Sequence, residues 1–340
     1  MKAVIRAVEY YLPEATLSTR QLATEFPEWS VEKIDQQTGI SLRHIAAPEE
    51  CASDLAVSAA EKLFASGVAR PSEVDYLLLC TQSPDYWLPT TACLLQDRLG
   101  LSQRTGALDF NLGSSGYVYG LGLAQGLLQS GQARCILLLT ADTYSKFIHP
   151  ADKSTRTIFS DAASATLLTA VDETAPRIGP FVYGTDGSGA PNLMVPAGGA
   201  RHPRTPESAV PHTDASGNVR SRDNLFMDGA EIFSFVLRVV PAAVGELLAE
   251  SGRTPEDIDL YVFHQANRYI LEHLRKRLKI PAEKFVLKIS ECGNTGSSSI
   301  PMALAHAAQQ GQLRPGNLAM LVGFGPGYSW GATLVRWGPL

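Results

Sequence analysis

An internal repeat is the feature that most limits how this chain can fold. Residues 71–80 (PSEVDYLLLC) match residues 255–264 (PEDIDLYVFH) in their order of polar and apolar positions. Each segment follows an amphipathic helical stretch that ends in Ser-Gly, and each leads into a nearly continuous apolar strand. Self-similarity of this kind indicates two related structural units in one chain.

A second pair of segments, one in each half, supports the same interpretation. Residues 131–139 resemble residues 314–322, and both read as polar turns followed by apolar strands. Strands this apolar are buried on both faces, and helical stretches between them favour largely parallel sheets. We therefore expect a duplicated α/β fold in which helices are sandwiched between two sheets.

The boundary between the two units is predicted near residues 171–177, where a strand ends in a polar stretch. This gives an N-terminal half at 1–171 and a C-terminal half at 172–340. Residues 187–223 are rich in Gly, Pro, Ser, His and Arg and lack periodicity, which is typical of a long surface loop. Its two histidines, His202 and His212, have no ligand-like companions, so we interpret them as solvated loop residues.

Composition excludes several classes of function. A formal net charge of −5 argues against a general nucleic-acid binder. The five cysteines are scattered without CxxC or His-rich spacing, so neither a disulfide framework nor a metal site is expected. No run of 18 apolar residues occurs and the first residues read as a charged strand, which predicts a cytoplasmic protein that does not interact with membranes.

Three short motifs carry candidate chemistry. Residues 108–121 read as a strand, a turn of small residues and a Gly-rich helix, which puts Ser114 at a helix N-terminus. The unpaired amides and positive dipole there favour an anionic nucleophile and can donate to an oxyanion. His264 ends an apolar strand, and Asn294 lies in a Gly-Asn-Thr-Gly segment after another.

Each motif alone is weak evidence for catalysis. A histidine that ends a strand is more often structural, and a Gly-Asn-Thr-Gly segment is usually a turn. Together they are more specific, because residues at the carboxyl ends of strands from two duplicated halves meet in one crevice. We therefore expect Ser114, His264 and Asn294 to form one catalytic site.

The chain resembles the β-ketoacyl-acyl carrier protein synthase III family of the thiolase superfamily along essentially its full length. That family implies a thiolase-like fold layered α-β-α-β-α, with two mixed, largely parallel sheets. It also implies a homodimer with no tightly bound cofactor. The segments that carry the resemblance are residues 38–40, 43–46, 108–121, 158–165, 264–267, 293–295 and 324–331.

The resemblance implies a decarboxylative Claisen condensation in two half-reactions. An acyl group from acyl-CoA or an acyl carrier protein first loads onto the nucleophile, which is Ser114 where the family has cysteine. A malonyl thioester then loses CO2, and its carbanion attacks the acyl-enzyme. His264 and Asn294 are expected to donate hydrogen bonds to the thioester oxygen, in the manner of an oxyanion hole.

Further residues are assigned to substrate binding by the same resemblance. Asn267, Arg268, Gly325 and Gly327 are expected near the substrate, and Leu88 is expected to project from one subunit into the acyl tunnel of its partner. An aliphatic residue there leaves room for a longer or branched acyl chain, although ordinary packing at a dimer interface explains Leu88 equally well. A basic patch after His264 is predicted to bind the acidic acyl carrier protein; its residues are Arg268, Arg275, Lys276, Arg277 and Lys279.

The sequence also departs from the family pattern. Lys33 and Gln37 stand where members that bind coenzyme A have a Trp and an Arg around the adenine, which argues against that stacking here. Pro326 has no amide N–H and so removes one donor from the glycine-rich loop. The string at residues 323–327 also resembles chalcone-synthase-type enzymes, but residues 264–267 have the synthase III form.

Three hypotheses follow from the serine at position 114. The first is a synthase III impaired by serine, whether that serine is natural or was substituted for cysteine. The second is a serine-based acyltransferase that passes its acyl group to an alcohol or amine. The third is a non-catalytic, acyl-binding partner subunit, which the retained His264, Asn294 and Asn267 disfavour.

Overall fold

The computed structural model of the chain describes residues 2–172 and 177–338. The strands are β1 Lys2–Tyr11, β2 Thr16–Ser18, β3 Leu42–His44, β4 Tyr76–Cys80, β5 Gly106–Phe110, β6 Cys135–Asp142, β7 Ala162–Val171, β8 Ile178–Thr185, β9 Leu193–Met194, β10 His212–Thr213, β11 Val219–Arg220, β12 Phe226–Met227, β13 Leu260–Phe263, β14 Leu318–Gly325 and β15 Ser329–Arg336. The α-helices are α1 Thr19–Glu25, α2 Val31–Thr38, α3 Ala52–Ala65, α4 Thr91–Arg98, α5 Gly116–Gln129, α6 Lys153–Arg156, α7 Gly229–Ser251, α8 Arg268–Arg277 and α9 Ser299–Gln309.

Two main sheets and three helical layers form the framework. The first sheet has the strand order β1-β7-β6-β4-β5, and the second has the order β13-β14-β15-β8. Apolar side chains of α5 and α9 pack between the two sheets, while α3 and α4 cover the outer face of the first sheet and α7 and α8 that of the second. The layered α-β-α-β-α fold is therefore confirmed.

Strand direction differs in one respect from the sequence prediction of largely parallel sheets. Both main sheets are mixed, as predicted, but only the pairs β4–β5, β4–β6 and β13–β14 are parallel. The pairs β1–β7, β6–β7, β14–β15 and β15–β8 are antiparallel. An apolar run reports burial on both faces but not direction, and the short connection between β14 and β15 allows only an antiparallel hairpin.

The sequence repeat has a concrete structural cause. In each half a short 3-10 turn precedes a buried strand, β4 or β13. The Asp75 carboxylate accepts hydrogen bonds from the backbone N–H groups of Arg134 and Cys135 at 2.7 and 3.0 Å. Asp259 accepts from the Leu318 N–H at 2.7 Å in the same way. Each aspartate thus fixes the start of the neighbouring parallel strand.

The two sheets draw their strands from different parts of the chain. Residues 2–171 supply the first sheet and residues 178–336 supply the second. The predicted boundary at 171–177 falls partly outside the described residues, since 173–176 are not among them.

The segment predicted as a long loop contains little regular structure. Residues 187–223 include a 3-10 turn and the short strands β9, β10 and β11, and His202 and His212 are exposed. β9 pairs with β12, so the segment is anchored next to the start of α7.

One described helix, α7, is long and apolar enough to cross a membrane by length and composition, with a mean hydropathy of 1.8 over its most apolar window. Its apolar face packs on the second sheet instead, through Phe235, Val236, Val240 and Leu247. This packing accounts for the apolar character of α7 as that of a core helix.

Candidate active site

Ser114 lies in a tight turn between β5 and α5. It precedes Ser115, the N-cap residue of α5, and only 6% of its surface is exposed. Gly116 allows this turn to pack closely, because a Cβ atom there would lie 2.2 Å from the Cys80 Sγ. Within residues 2–172 and 177–338, neither the N–H nor the hydroxyl of Ser114 has a hydrogen-bond partner. Both groups are therefore available to a ligand.

Strand β14 of the second sheet presses against this turn through two glycines. A Cβ atom at Gly323 would lie 2.7 Å from the Ser114 carbonyl oxygen. A Cβ atom at Gly325 would lie 3.1 Å from the Ser114 nitrogen and 3.6 Å from its Oγ. Because a Cβ atom would make contacts this short, a residue larger than glycine at either position would force the turn to move. The two halves of the chain therefore approach each other at Ser114 backbone to backbone.

His264 directly follows β13 and is 3% exposed. Its backbone N–H donates to the Val322 carbonyl at 2.8 Å, and its Nδ1 lies 2.6 Å from the Ser299 Oγ. The Phe324 ring packs edge-on against the imidazole, with the ring centroids 5.1 Å apart. Burial lowers the pKa of His264 from 6.5 to about 3, so the ring is neutral at physiological pH.

Asn294 is held in place by its own loop and by the first half of the chain. Its side-chain Oδ1 accepts from the Gly296 N–H at 3.0 Å. Its Nδ2 group has no acceptor among the residues that the structure describes, so it is free to donate to a ligand. Its backbone pairs with the segment around Phe159: the Asn294 N–H donates to Ile158 at 3.0 Å, and the Ser160 N–H donates to Asn294 at 2.9 Å.

A buried carboxyl group holds the loop that follows Asn294 through hydrogen bonds. Asp142 at the end of β6 accepts from the Ser297 N–H at 3.0 Å and from the Ser297 hydroxyl at 2.5 Å. It also accepts from the Gln82 N–H at 2.8 Å. Burial raises the pKa of Asp142 to about 7 despite these donors.

One pocket of about 110 Å³ brings the three predicted catalytic residues together. Ser114, His264 and Asn294 all line it, and so do the predicted binding residues Asn267 and Gly325. The Asn267 side chain also caps α8 by accepting from the Ile270 N–H at 2.8 Å. Pro326, which the sequence also singled out, lines the pocket as well. Sequence reasoning missed the rest of the wall, which is made of Tyr144, Ile158, Phe159, Leu193, Met227, Gly229, Ile232, Phe235, Val236, Ala266, Ile270 and Phe324.

The sequence contains little that would have identified these residues as lining a pocket. Ile158 and Phe159 belong to a segment that carries the family resemblance, but nothing in it indicates a pocket wall. Tyr144 lies in a 3-10 turn and donates to the Gln82 Oε1 at 2.6 Å. Asp161 orders the neighbouring turns by accepting from the Ala46 and Ser145 N–H groups at 2.8 and 2.9 Å.

Three predicted binding residues lie outside this pocket lining. Leu88 is 87% exposed on the surface, beside Tyr86 and Trp87. Gly327 lies in the connection between β14 and β15, with a φ of 136° that favours glycine. Arg268 extends across α2, where it donates to the Gly39 carbonyl at 3.2 Å and lies 3.7 Å from the Asp35 carboxylate.

The predicted basic patch is not uniform. Arg275 is paired with Glu272 at 2.8 Å and also donates to the Ile280 carbonyl at 3.1 Å, so its charge is used within the fold. The remaining members of the patch beyond Arg268 are exposed; they are Lys276, Arg277 and Lys279.

Lys33 and Gln37, which stand where members that bind coenzyme A have a Trp and an Arg, both lie on α2. Lys33 places its ammonium 4.8 Å from the centre of the Trp29 ring, so it is engaged in a cation–π contact of its own. Gln37 lies one turn further along the helix. Among the described residues, no group of three or more His, Cys, Asp or Glu side chains could hold a metal ion.

The layered fold and the Ser-His-Asn pocket define a thiolase-like enzyme. Two family models match the chain: 3-oxoacyl-[acyl-carrier-protein] synthase III at residues 108–187, and the C-terminal region of the same synthase at residues 248–337. The chain belongs to the β-ketoacyl-acyl carrier protein synthase III family, whose members are acyltransferases.

Individual relatives support this assignment over the whole length. The β-ketoacyl-acyl carrier protein synthase III of Caldanaerobacter subterraneus is 35% identical, over 96% of this chain and 95% of the relative. A crystal structure of a 3-oxoacyl-(acyl-carrier-protein) synthase III is 54% identical, with a TM-score of 0.98 over 99% of this chain and 100% of that one. A crystal structure of a 3-oxoacyl-(acyl-carrier protein) synthase from Burkholderia xenovorans is 36% identical, with a TM-score of 0.91 over 100% of this chain and 95% of that one.

Proposed function

We propose that this protein acts as a 3-oxoacyl-acyl carrier protein synthase III-type acyltransferase, with Ser114 at the position of the family's cysteine. Its reaction is the decarboxylative condensation of an acyl thioester with a malonyl thioester in fatty acid or polyketide synthesis. The serine impairs the loading step. The observation that supports this most is the convergence of His264, Asn294 and Ser114 on one buried pocket.

The donor pair explains the loss of CO2. When the bond between the malonyl carboxylate and its methylene carbon breaks, negative charge develops on the thioester oxygen. The neutral His264 ring and the free Nδ2 of Asn294 supply two hydrogen-bond donors for that oxygen in a pocket with a mostly apolar lining. Donors fixed in advance stabilise such charge without reorganisation.

The loading step is the weaker half of this chemistry. The free Ser114 N–H is suited to bind the oxygen of the acyl carbonyl. A helix N-terminus lowers the pKa of a cysteine enough to give a standing thiolate, but a serine hydroxyl ionises far less readily. Ser114 therefore needs a general base, and His264 is the candidate within the pocket.

The substrate arm is proposed to enter between α2 and α8. Asn267 and Gly325 line the pocket, and Arg268 spans from α8 to the end of α2. Gly327 allows the positive φ in the connection between β14 and β15. The carrier protein is proposed to dock on the exposed ammonium and guanidinium groups of Lys276, Arg277 and Lys279, with Arg268 at the entrance and Arg275 as support.

A homodimer is proposed from the exposed apolar surface. Tyr86, Trp87 and Leu88 are 61%, 78% and 87% exposed and adjoin each other in sequence. Leu108, on the edge strand β5, is 42% exposed as well. Patches of this kind mark protein–protein contacts, and a Leu88 inserted into the partner's acyl tunnel fits this surface. We also propose a cytoplasmic location and two structural halves that meet at residues 171–172.

The test uses the purified protein with a series of acyl thioesters and malonyl-acyl carrier protein, followed by mass spectrometry of both protein and products. We expect a β-keto product that forms slowly, an ester on Ser114, and no ester on Ser114→Ala. An ester without β-keto product, but with acyl transfer to an added alcohol or amine, would support the serine acyltransferase instead. Neither ester nor product would support a non-catalytic partner subunit.

A further inference from the structure

Ser299 lies directly behind His264, at the first residue of α9. Its hydroxyl oxygen is 2.6 Å from the His264 Nδ1, and only 2% of Ser299 is exposed. This hydroxyl therefore contacts one nitrogen of the imidazole, and Ser299 itself is not among the residues that line the pocket. Its neighbour Ser298 is also buried, but the Ser298 hydroxyl bonds to Thr140 instead, at 2.8 Å.

The surroundings of the Ser299 hydroxyl set the direction of its hydrogen bond. The oxygen accepts a hydrogen bond from the backbone N–H of Gln265 at 3.4 Å. Within the part of the chain that the structure describes, Nδ1 of His264 is the only acceptor within reach of the hydroxyl hydrogen. The hydroxyl therefore donates to Nδ1, since otherwise its hydrogen would be buried without an acceptor.

A neutral imidazole carries one proton, so a ring that accepts at Nδ1 holds that proton on Nε2. We propose that Ser299 is a positioning residue that keeps His264 in the Nε2–H form and thereby favours loss of CO2 over loading of Ser114. This inference rests on the proposed function, because it assigns one state of His264 to one of the two half-reactions.

The two half-reactions need opposite states of the same nitrogen. In decarboxylation the carboxylate carbon leaves as CO2, the electron pair of the broken bond moves into the thioester enolate, and Nε2–H donates to the enolate oxygen. The enolate carbon then attacks the acyl carbonyl, the ester bond to the Ser114 oxygen breaks, and that oxygen takes up a proton from water as the β-keto product forms. Without an acyl-enzyme, the enolate carbon takes a proton from water to give an acetyl thioester. In loading, Nε2 must instead accept the Ser114 proton, which requires the proton on Nδ1 and leaves the Ser299 hydrogen without its acceptor.

Three variants separate this role from ordinary packing. In Ser299→Ala we expect kcat for CO2 release from malonyl-acyl carrier protein to fall about tenfold or more at unchanged KM, by analogy with lost partners of metal-bound histidines. Acyl loading of Ser114 should stay equal or rise. Ser299→Thr keeps a hydroxyl and should restore most of the CO2 release. Ser298→Ala is the matched control: it also loses a buried hydroxyl, but its CO2 release should stay within about twofold because His264 keeps its partner.

A second readout does not depend on activity. In the ¹⁵N NMR spectrum of histidine-labelled protein, we expect the His264 Nε2 to be protonated and Nδ1 to be a hydrogen-bonded acceptor. A proton on Nδ1 in the unmodified protein overturns the inference, and so does an equal loss of CO2 release in Ser299→Ala and Ser298→Ala. A protein with the expected spectrum but no CO2 release from any malonyl thioester would instead overturn the proposed function.

Discussion

The two sides of the pocket differ in how their polar groups are held. On the donor side, one polar side-chain atom of each residue is fixed by a hydrogen bond: Nδ1 of His264 by Ser299, and Oδ1 of Asn294 by the Gly296 N–H. On the nucleophile side, the Ser114 hydroxyl has no partner among the described residues. The comparison indicates that the pocket is organised to stabilise charge more than to activate a hydroxyl.

The largest effect is expected from Ser114→Cys, which changes only the nucleophile side. A thiol at a helix N-terminus forms a thiolate without a general base, so condensation should rise on the order of 10³-fold. CO2 release in the absence of an acyl donor should change little. The β-keto product is quantified by mass spectrometry; an unchanged rate of product formation would show that loading is not the weak half.

Asn294→Ala tests the donor side. Loss of one oxyanion donor costs on the order of 10²–10³ in rate, and we expect CO2 release to fall by that amount. Loading of Ser114 from an acyl thioester, measured as the mass shift of the protein, should be retained. A parallel loss of both would indicate collapse of the loop that carries Asn294.

A smaller effect is expected where the two sides touch. In Gly325→Ala the new Cβ atom would lie 3.1 Å from the Ser114 nitrogen, which forces the turn to shift. We expect loading to fall about tenfold, as small misplacements of reacting groups do, with less change in CO2 release. Gly245→Ala is the control, because a Cβ there meets no atom within 4 Å. Equal effects on both half-reactions would contradict the separation of the two sides.

The smallest effect on rate is expected from pH. Because burial lowers the pKa of His264 to about 3, CO2 release should show no inflection near 6.5 from this residue. The unfolded chain binds a proton at His264 below pH 6.5 and the folded protein does not, so this residue lowers stability as pH falls from 6.5 towards 3. Thermal melts of the protein and of His264→Asn across this range measure the difference. Identical pH dependence in both would contradict the assignment.

The sequence contained enough to place His264, because it follows β13, whose burial is visible as an apolar run. Ser114 follows the half-exposed edge strand β5, and no strand lies between β13 and Asn294, so the expected strand before Asn294 was wrong. The turn of small residues and the Gly-Asn-Thr-Gly segment marked these two positions instead. The sequence did not show that β15 is antiparallel to β14, since apolar runs carry no direction. Nor did it show the pairing of Arg275 with Glu272 or the contact of Ser299 with His264. The second contact joins residues 35 positions apart and depends on how α9 packs against β13.

The backbone pairing between Asn294 and the segment at Phe159 joins the two halves of the chain at the pocket. A local separation of the halves breaks that pairing before either sheet loses its own hydrogen bonds. Activity should therefore be lost when the contact between the halves is lost. On heating, turnover should stop at a temperature below the one at which circular dichroism reports loss of the sheets.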